Sequence, residues 1–228
     1  MLVAALLSGH RLAHADLIPP PPRERPDPRA VARKVAIACG DTSELQALAF
    51  TFVAEADGVE KVRRRHAWDA LASTVRVTRG DRAPITLRVQ PSMPTSADDP
   101  AWASLAPGIA PAEAWSAWTA FVNDQYWLMA PCKVLDPGVV HSIDGPALVL
   151  TFAGVGLTPG DRYTLELDAE SSSVRAWRFR LQSGAEGHYQ WVDPVDAGPL
   201  RLFTRRESMT DGRVIRFEDV VGLRRPTP

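Results

Sequence analysis

The chain has 228 residues, 26 Lys and Arg against 27 Asp and Glu, and a formal net charge of -1. With no basic excess, binding to a nucleic-acid backbone or to an anionic membrane is disfavoured. Its 2 cysteines can neither frame a disulfide scaffold nor complete a Cys-rich zinc site, and no apolar run reaches the ~18 residues of a membrane-spanning helix. What remains is a globular protein held together by the burial of apolar side chains.

The first 28 residues divide into two segments. Residues 1–15 resemble a secretory signal peptide, because an apolar stretch is followed by the small-x-small site Ala13-His14-Ala15. The apolar stretch is short and has no basic residue before it, so the signal is weak or the true start of the protein lies upstream of Met1. Residues 16–28 are rich in proline and predict a stiff linker. We expect one folded domain over residues 29–222 and a tail over 223–228.

The first part of this domain predicts one helix and four strands. Arg29–Ala38 is rich in helix formers and ends just before Gly40. Alternating apolar residues then predict strands at 48–53, 62–69, 75–78 and 85–90, with turns at Ala56-Asp57-Gly58 and Gly80-Asp81. This pattern indicates an antiparallel meander with one apolar face.

A tryptophan-rich helix follows the meander. Residues 91–111 contain five prolines and predict a loop with a helical turn near 101–105. Beyond them, Trp115, Trp118, Phe121 and Val122 recur at helical spacing between Pro111 and Pro131. The central helix is therefore inserted between two blocks of strands.

The second block predicts six more strands, around residues 148–152, 163–167, 177–181, 189–191, 200–202 and 215–221. About ten strands that share an apolar face need a cover, and only two helices are available. The fold class is therefore α+β, mainly antiparallel β, as a strongly curved half-open barrel covered by the short N-terminal helix and the tryptophan-rich helix. Such a sheet can enclose an apolar cavity, although side chains alone could also fill it.

Several motifs resemble one bacterial family. They are residues 121–131 (FVNDQYWLMAP) with 133–139 (KVLDPGV), then 65–69 (RHAWD), 156–163 (GLTPGDRY) and 212–220 (GRVIRFEDV). Their order is similar to that in proteins related to the LolA-type outer-membrane lipoprotein-sorting factors, over roughly residues 29–222. The sequence departs from the motif at Cys132, where an aromatic residue is more usual.

The resemblance implies a half-open barrel with a helical lid, an apolar cavity, a periplasmic location and the binding of a lipid-linked molecule. None of the family's functional residues can be placed on this chain. A monomer without cofactor or metal is expected.

Large aromatic side chains on the apolar faces could line such a cavity, or could simply form the core. The candidates for ligand binding are Phe50, Phe52, Trp68, Trp115, Trp118, Trp127, Phe152, Trp177 and Phe179.

The polar residues of the motifs suggest structure rather than catalysis. Asp124 is expected to fix a turn or to pair with Lys133 or with an arginine of 63–65, and that arginine run is expected to be solvated or ion-paired. The histidines have no metal-ligand spacing, and no hydrolase or phosphate-loop motif is present. Cys39 and Cys132 could form a disulfide after export, but two free thiols are the simpler expectation.

Three functions compete. The first is a non-catalytic periplasmic carrier for a lipid or lipoprotein acyl chain. The second is a cell-envelope protein-interaction module with a filled core. The third is a lipid-acting hydrolase, which would require His66 or His188 beside a buried carboxylate and a serine.

Overall fold

The computed structural model describes residues 26–154 and 157–226. The expected signal peptide at 1–15 and most of the linker lie outside these residues. The described residues form three helices: α1 (Pro28–Cys39), α2 (Trp102–Leu105) and α3 (Pro111–Met129). The first four strands are β1 (Leu45–Ala56), β2 (Val59–Asp69), β3 (Thr74–Arg79) and β4 (Ile85–Arg88). The remaining strands are β5 (Val139–Asp144), β6 (Ala147–Phe152), β7 (Arg162–Leu167), β8 (Val174–Arg180), β9 (Glu186–Ala197), β10 (Leu200–Ser208) and β11 (Val214–Arg224).

All eleven strands of the described chain form one antiparallel sheet, in the order β4-β3-β2-β1-β11-β10-β9-β8-β7-β6-β5. The two blocks join where β1 pairs with β11, and the sheet remains open between the edge strands β4 and β5. The predicted fold class, a half-open antiparallel barrel with helices, is confirmed.

The helical segment between β4 and β5 separates the two blocks of strands, so β4 and β5 are not joined by a hairpin and lie at opposite edges of the sheet. α3 begins with Pro111, whose fixed φ suits the first turn of a helix, and it contacts both β4 and β10 across the concave face. A continuous chain of hairpins would leave this face open to water. The helical segment instead buries it.

One strand was missed by the sequence pattern. β5 alternates between half-buried and exposed positions and carries polar His141, Ser142 and Asp144, so its apolar signal is weak. It pairs only with β6 and forms an edge of the sheet. An edge strand has one neighbour to pack against, and polar residues are tolerated there.

The predicted turn between β1 and β2 is confirmed. Asp57 and Gly58 both have positive φ, 54° and 70°. This is the backbone of a type I′ hairpin turn, whose twist matches that of the two strands.

The expectation of free thiols was wrong, because Cys39 and Cys132 form a disulfide with Cα atoms 5.2 Å apart. Cys39 ends α1, and Cys132 lies in the 3-10 turn Ala130–Lys133 that follows α3. Both side chains are buried. The sequence separation of 93 residues hid this proximity, which arises only when α1 packs beside the end of α3.

A buried arginine closes the end of α3. Arg206 is fully buried, and its Nη2 donates to the carbonyl oxygens of Trp127 at 2.9 Å and Leu128 at 3.5 Å. Its guanidinium also lies 3.5 Å from the ring centroid of Trp191, and burial lowers the pKa of the side chain. The last carbonyls of a helix have no partner within the helix, so Arg206 supplies donors that the helix lacks.

The interior of the described part of the chain contains two clusters of apolar side chains. One lies mainly under β1–β4, with α2, buried residues from both ends of α3, and parts of β10 and β11. The other lies under β6–β9, with α1 and the segment that follows α3. Trp127 is packed against both, so the C-terminal part of α3 forms the boundary between them.

Candidate functional site: an apolar cavity beside the central helix

A cavity of about 450 Å³ lies between α3 and the inner face of β6–β8. This volume falls within the ~300–1,000 Å³ of typical small-molecule pockets. The helix contributes Trp115, Thr119, Val122 and Tyr126, spaced by four, three and four residues. That spacing places them on one face of the helix.

Aromatic rings form much of the cavity wall. Trp127 lies 5.6 Å from Phe179 between ring centroids, and Tyr126 lies 5.2 Å from Tyr163. These separations are typical of packed aromatic pairs. The complete wall consists of Trp115, Thr119, Val122, Asn123, Tyr126, Trp127, Phe152, Leu157, Thr158, Asp161, Tyr163, Phe179 and Leu181.

A glycine positions one of these rings. Gly187 of β9 pairs with Phe179 of β8, and a Cβ at Gly187 would collide with the Phe179 ring. The missing side chain lets the ring lie across the neighbouring strand. Phe179 can therefore contribute to the cavity wall without displacing β9.

One carboxylate belongs to the wall. Asp161 follows the turn before β7 and is 3% exposed. Its oxygens accept hydrogen bonds from the Thr158 hydroxyl at 2.5 Å, the Tyr163 hydroxyl at 3.2 Å and the Gln182 backbone N–H at 2.9 Å. Burial raises the pKa of the Tyr163 hydroxyl, and the charge of Asp161 adds to the rise, so Tyr163 remains a neutral donor.

The structure brings four of the nine candidate residues to the cavity wall: Trp115, Trp127, Phe152 and Phe179. Trp177 is buried and lies directly behind them, with its ring centroid 4.8 Å from that of Trp127. Four of the candidates therefore belong to the cavity wall, and Trp177 packs behind it.

The other four candidates, Phe50, Phe52, Trp68 and Trp118, lie in the cluster under β1–β4. Trp68 and Trp118 both contact Phe121, with centroid separations of 6.2 and 5.9 Å. Phe50, Phe52 and Trp68 share the inner face of the sheet with the cavity residues, as the alternation predicted, whereas Trp118 belongs to α3. The three strand residues lie on β1 and β2, away from β6–β8, which line the cavity.

Sequence reasoning missed Tyr126, Asn123, Thr158 and Asp161. Tyr126 could have been found, since it continues the helical spacing from Trp115 through Val122. Thr158 and Asp161 lie between the predicted strands at 148–152 and 163–167, within the motif 156–163. Their place at the cavity depends on how the loop before β7 folds back, for which the sequence has no periodic signal.

A second polar cluster binds α3 to β2. Asp124 is fully buried and accepts from Arg64 Nε at 2.7 Å, Arg64 Nη2 at 2.6 Å and His66 Nε2 at 2.7 Å. Its expected pairing with an arginine of 63–65 is confirmed, whereas Lys133 pairs with Asp136 at 2.7 Å.

This cluster contains a histidine beside a buried carboxylate, as the hydrolase hypothesis required. His66 and Asp124 are both fully buried, and none of their hydrogen bonds within the described residues involves a serine. Arg64 already occupies both carboxylate oxygens. The geometry therefore anchors the helix to the sheet, with the His66 and Asp124 side chains both buried.

The residues that the structure describes contain no group of three or more His, Cys, Asp or Glu side chains arranged to hold a metal ion. None of their helices is long and apolar enough to cross a membrane.

No family model and no curated protein matches the sequence. Among solved structures, a LolA superfamily protein from Nitrosomonas europaea is similar, with a TM-score of 0.48 and 13% identity over 90% of this chain and 96% of that one. A DUF1329 family protein from Desulfovibrio piger has a TM-score of 0.40 and 10% identity over 86% and 91% of the two chains. A putative outer membrane lipoprotein-sorting protein domain from Vibrio parahaemolyticus has a TM-score of 0.38 and 8% identity over 85% of this chain and 91% of that one.

Two of these three structures carry LolA superfamily or lipoprotein-sorting names, the kind of protein that the sequence resembles. Identities of 8–13% and TM-scores below 0.5 transfer neither a residue's role nor a ligand to this chain.

Proposed function

We propose that this protein binds the acyl chain of a lipid or lipoprotein in the cavity beside α3 and carries it without chemical change. The observation that supports this proposal is the cavity itself, about 450 Å³ in volume and lined mainly by aromatic and aliphatic side chains. Each methylene that moves from water into such a site contributes about 0.8 kcal/mol, so an acyl chain binds there without specific polar contacts.

We further propose that the protein works in the periplasm. The disulfide between Cys39 and Cys132 supports an oxidising compartment, because such bonds are rare in proteins of the cytosol. The signal-like segment at residues 1–15 is consistent with export.

Native mass spectrometry of protein exported in a host cell and purified without detergent tests the binding proposal. Wild-type protein should carry a lipid adduct, which organic extraction then identifies. Leu181→Asp places a charge at the cavity wall and should abolish the adduct.

Leu135→Asp is the matched control, because Leu135 also lies in a connecting segment, is 42% exposed and is outside the cavity wall. This variant should retain the adduct. A wild-type protein that stays free of lipid after incubation with phospholipid would overturn the carrier proposal and favour the interaction module.

A further inference from the structure

The cavity is acidic as well as apolar. Asp161 is the one charged residue in the wall formed by the described residues. Its three hydrogen-bond donors, the Thr158 hydroxyl, the Tyr163 hydroxyl and the Gln182 backbone N–H, are all neutral. They orient the carboxylate but do not neutralise it.

None of the ion pairs among residues 26–154 and 157–226 includes Asp161, so no ion pair in this part of the chain compensates its charge. The adjacent Arg162 is exposed and has Asp144 as its nearest acidic partner, at 4.0 Å. Asp161 is only 3% exposed in an apolar wall, and burying a carboxylate in this way without a cationic partner raises the free energy of the folded state.

The hydroxyl groups of the wall do not change this balance. Thr119 donates to the backbone oxygen of Trp115 at 3.0 Å, and Thr158 and Tyr163 donate to Asp161. Three of the four wall hydroxyls therefore use their hydrogens within the protein. The fourth belongs to Tyr126, whose pKa is raised by burial, so it adds no charge. The wall thus combines a negative charge with oxygen lone pairs.

We propose that the ligand of this cavity is an amphiphile whose polar end is a hydrogen-bond-donating cation, a primary ammonium, placed beside Asp161 with its hydrocarbon chain along the aromatic wall. This inference rests on the proposed function, since it requires that a chain enters the cavity. Asp161 then acts as a specificity residue. It attracts an ammonium group and repels a carboxylate of the same chain length.

Three ligands with one chain length test the proposal: dodecylammonium, dodecanoate and 1-dodecanol, each titrated below its micelle or solubility limit at pH 7 by calorimetry. Wild-type protein should bind dodecylammonium at least about tenfold more tightly than dodecanoate, with dodecanol between them. Asp161→Asn keeps one of the two oxygens that accept from Thr158 and Gln182, and it removes the charge. It should bring the two charged ligands to within about threefold of each other.

Asp144→Asn is the matched control, because it removes the same charge from a side chain that is 73% exposed and outside the cavity wall. It should keep the wild-type preference. If it loses the preference as Asp161→Asn does, general attraction to the protein's charge explains the result and the assignment to Asp161 is overturned.

The two proposals fail in different ways. Equal binding of all three ligands to wild-type protein would overturn the head-group inference and leave the carrier function standing. Binding of none would overturn the carrier function itself. The wild-type comparison decides the head-group preference even if Asp161→Asn fails to fold.

Discussion

At the scale of single residues, the two buried carboxylates have different surroundings. Asp124 is held by the guanidinium of Arg64 and the imidazole of His66. Asp161 is held by two hydroxyls and a backbone N–H. The first is paired with basic side chains and serves structure, whereas the second has only neutral donors and lies in the wall of a cavity. Burial alone would not have separated these roles.

Replacement of Asp124 by asparagine should lower the free energy of unfolding by about 3 kcal/mol, because it leaves Arg64 and His66 without an anionic partner between α3 and β2. Urea unfolding, followed by tryptophan fluorescence, measures the loss.

Asp136→Asn is the control for Asp124→Asn. Asp136 pairs with Lys133 at 2.7 Å but is 46% exposed, so its loss should change stability by at most about 0.5 kcal/mol. Equal effects of the two variants would show that the buried cluster contributes no more than a surface ion pair.

Sequence reasoning reached the first of these carboxylates but not the second. A polar residue inside an apolar helix is conspicuous, and the arginine run supplied a plausible partner for Asp124. Asp161 stands in the turn Pro159-Gly160-Asp161, where a carboxylate is ordinary. Only the folded chain places it against Tyr126 and Tyr163.

At the scale of elements, α3 is fixed at several points along its length. Asp124 holds its middle to β2, Arg206 satisfies carbonyls at its end, and Cys132 joins the following turn to α1. Other side chains of the same helix line the cavity. Part of the cavity wall is therefore formed by a helix that contacts with the sheet and with α1 hold in place.

Removal of the disulfide in a Cys39→Ala/Cys132→Ala variant should lower the free energy of unfolding by about 2–5 kcal/mol. The bond closes a loop with a sequence separation of 93 residues, and loops of this length restrict the unfolded chain strongly. Urea denaturation with and without dithiothreitol measures the effect.

Dithiothreitol should destabilise wild-type protein by a similar amount and leave the double variant unchanged. A wild-type protein whose unfolding midpoint is the same in both conditions would contradict a stabilising disulfide.

At the scale of the whole molecule, the sheet has two edge strands, and its two blocks join at the pair formed by β1 and β11, which we call its centre. β1 pairs with β2 on one side and β11 on the other, whereas the four-residue β4 pairs only with β3. The centre joins residues from both ends of the folded chain. It should therefore open only when the whole sheet unfolds.

Hydrogen exchange followed by mass spectrometry should reflect this arrangement. Amides in the middle of β1, from Phe50 to Val53, should exchange slowest, and those of the edge strands β4 and β5 should exchange fastest among the strands. Slower exchange in β4 than in β1 would contradict a cooperative centre at the β1 and β11 pair.

The sequence alone was enough to predict the alternation of the strands, the tryptophan-rich helix and the fold class, because these depend on local periodicity in side-chain burial. It also marked the set of aromatic residues from which the cavity wall is drawn. It did not separate Trp127 and Phe179, which line the cavity, from Trp118 and Phe52, which pack elsewhere. The tertiary structure decided this, together with the disulfide and the place of Asp161, because each depends on contacts between segments that are distant in the chain.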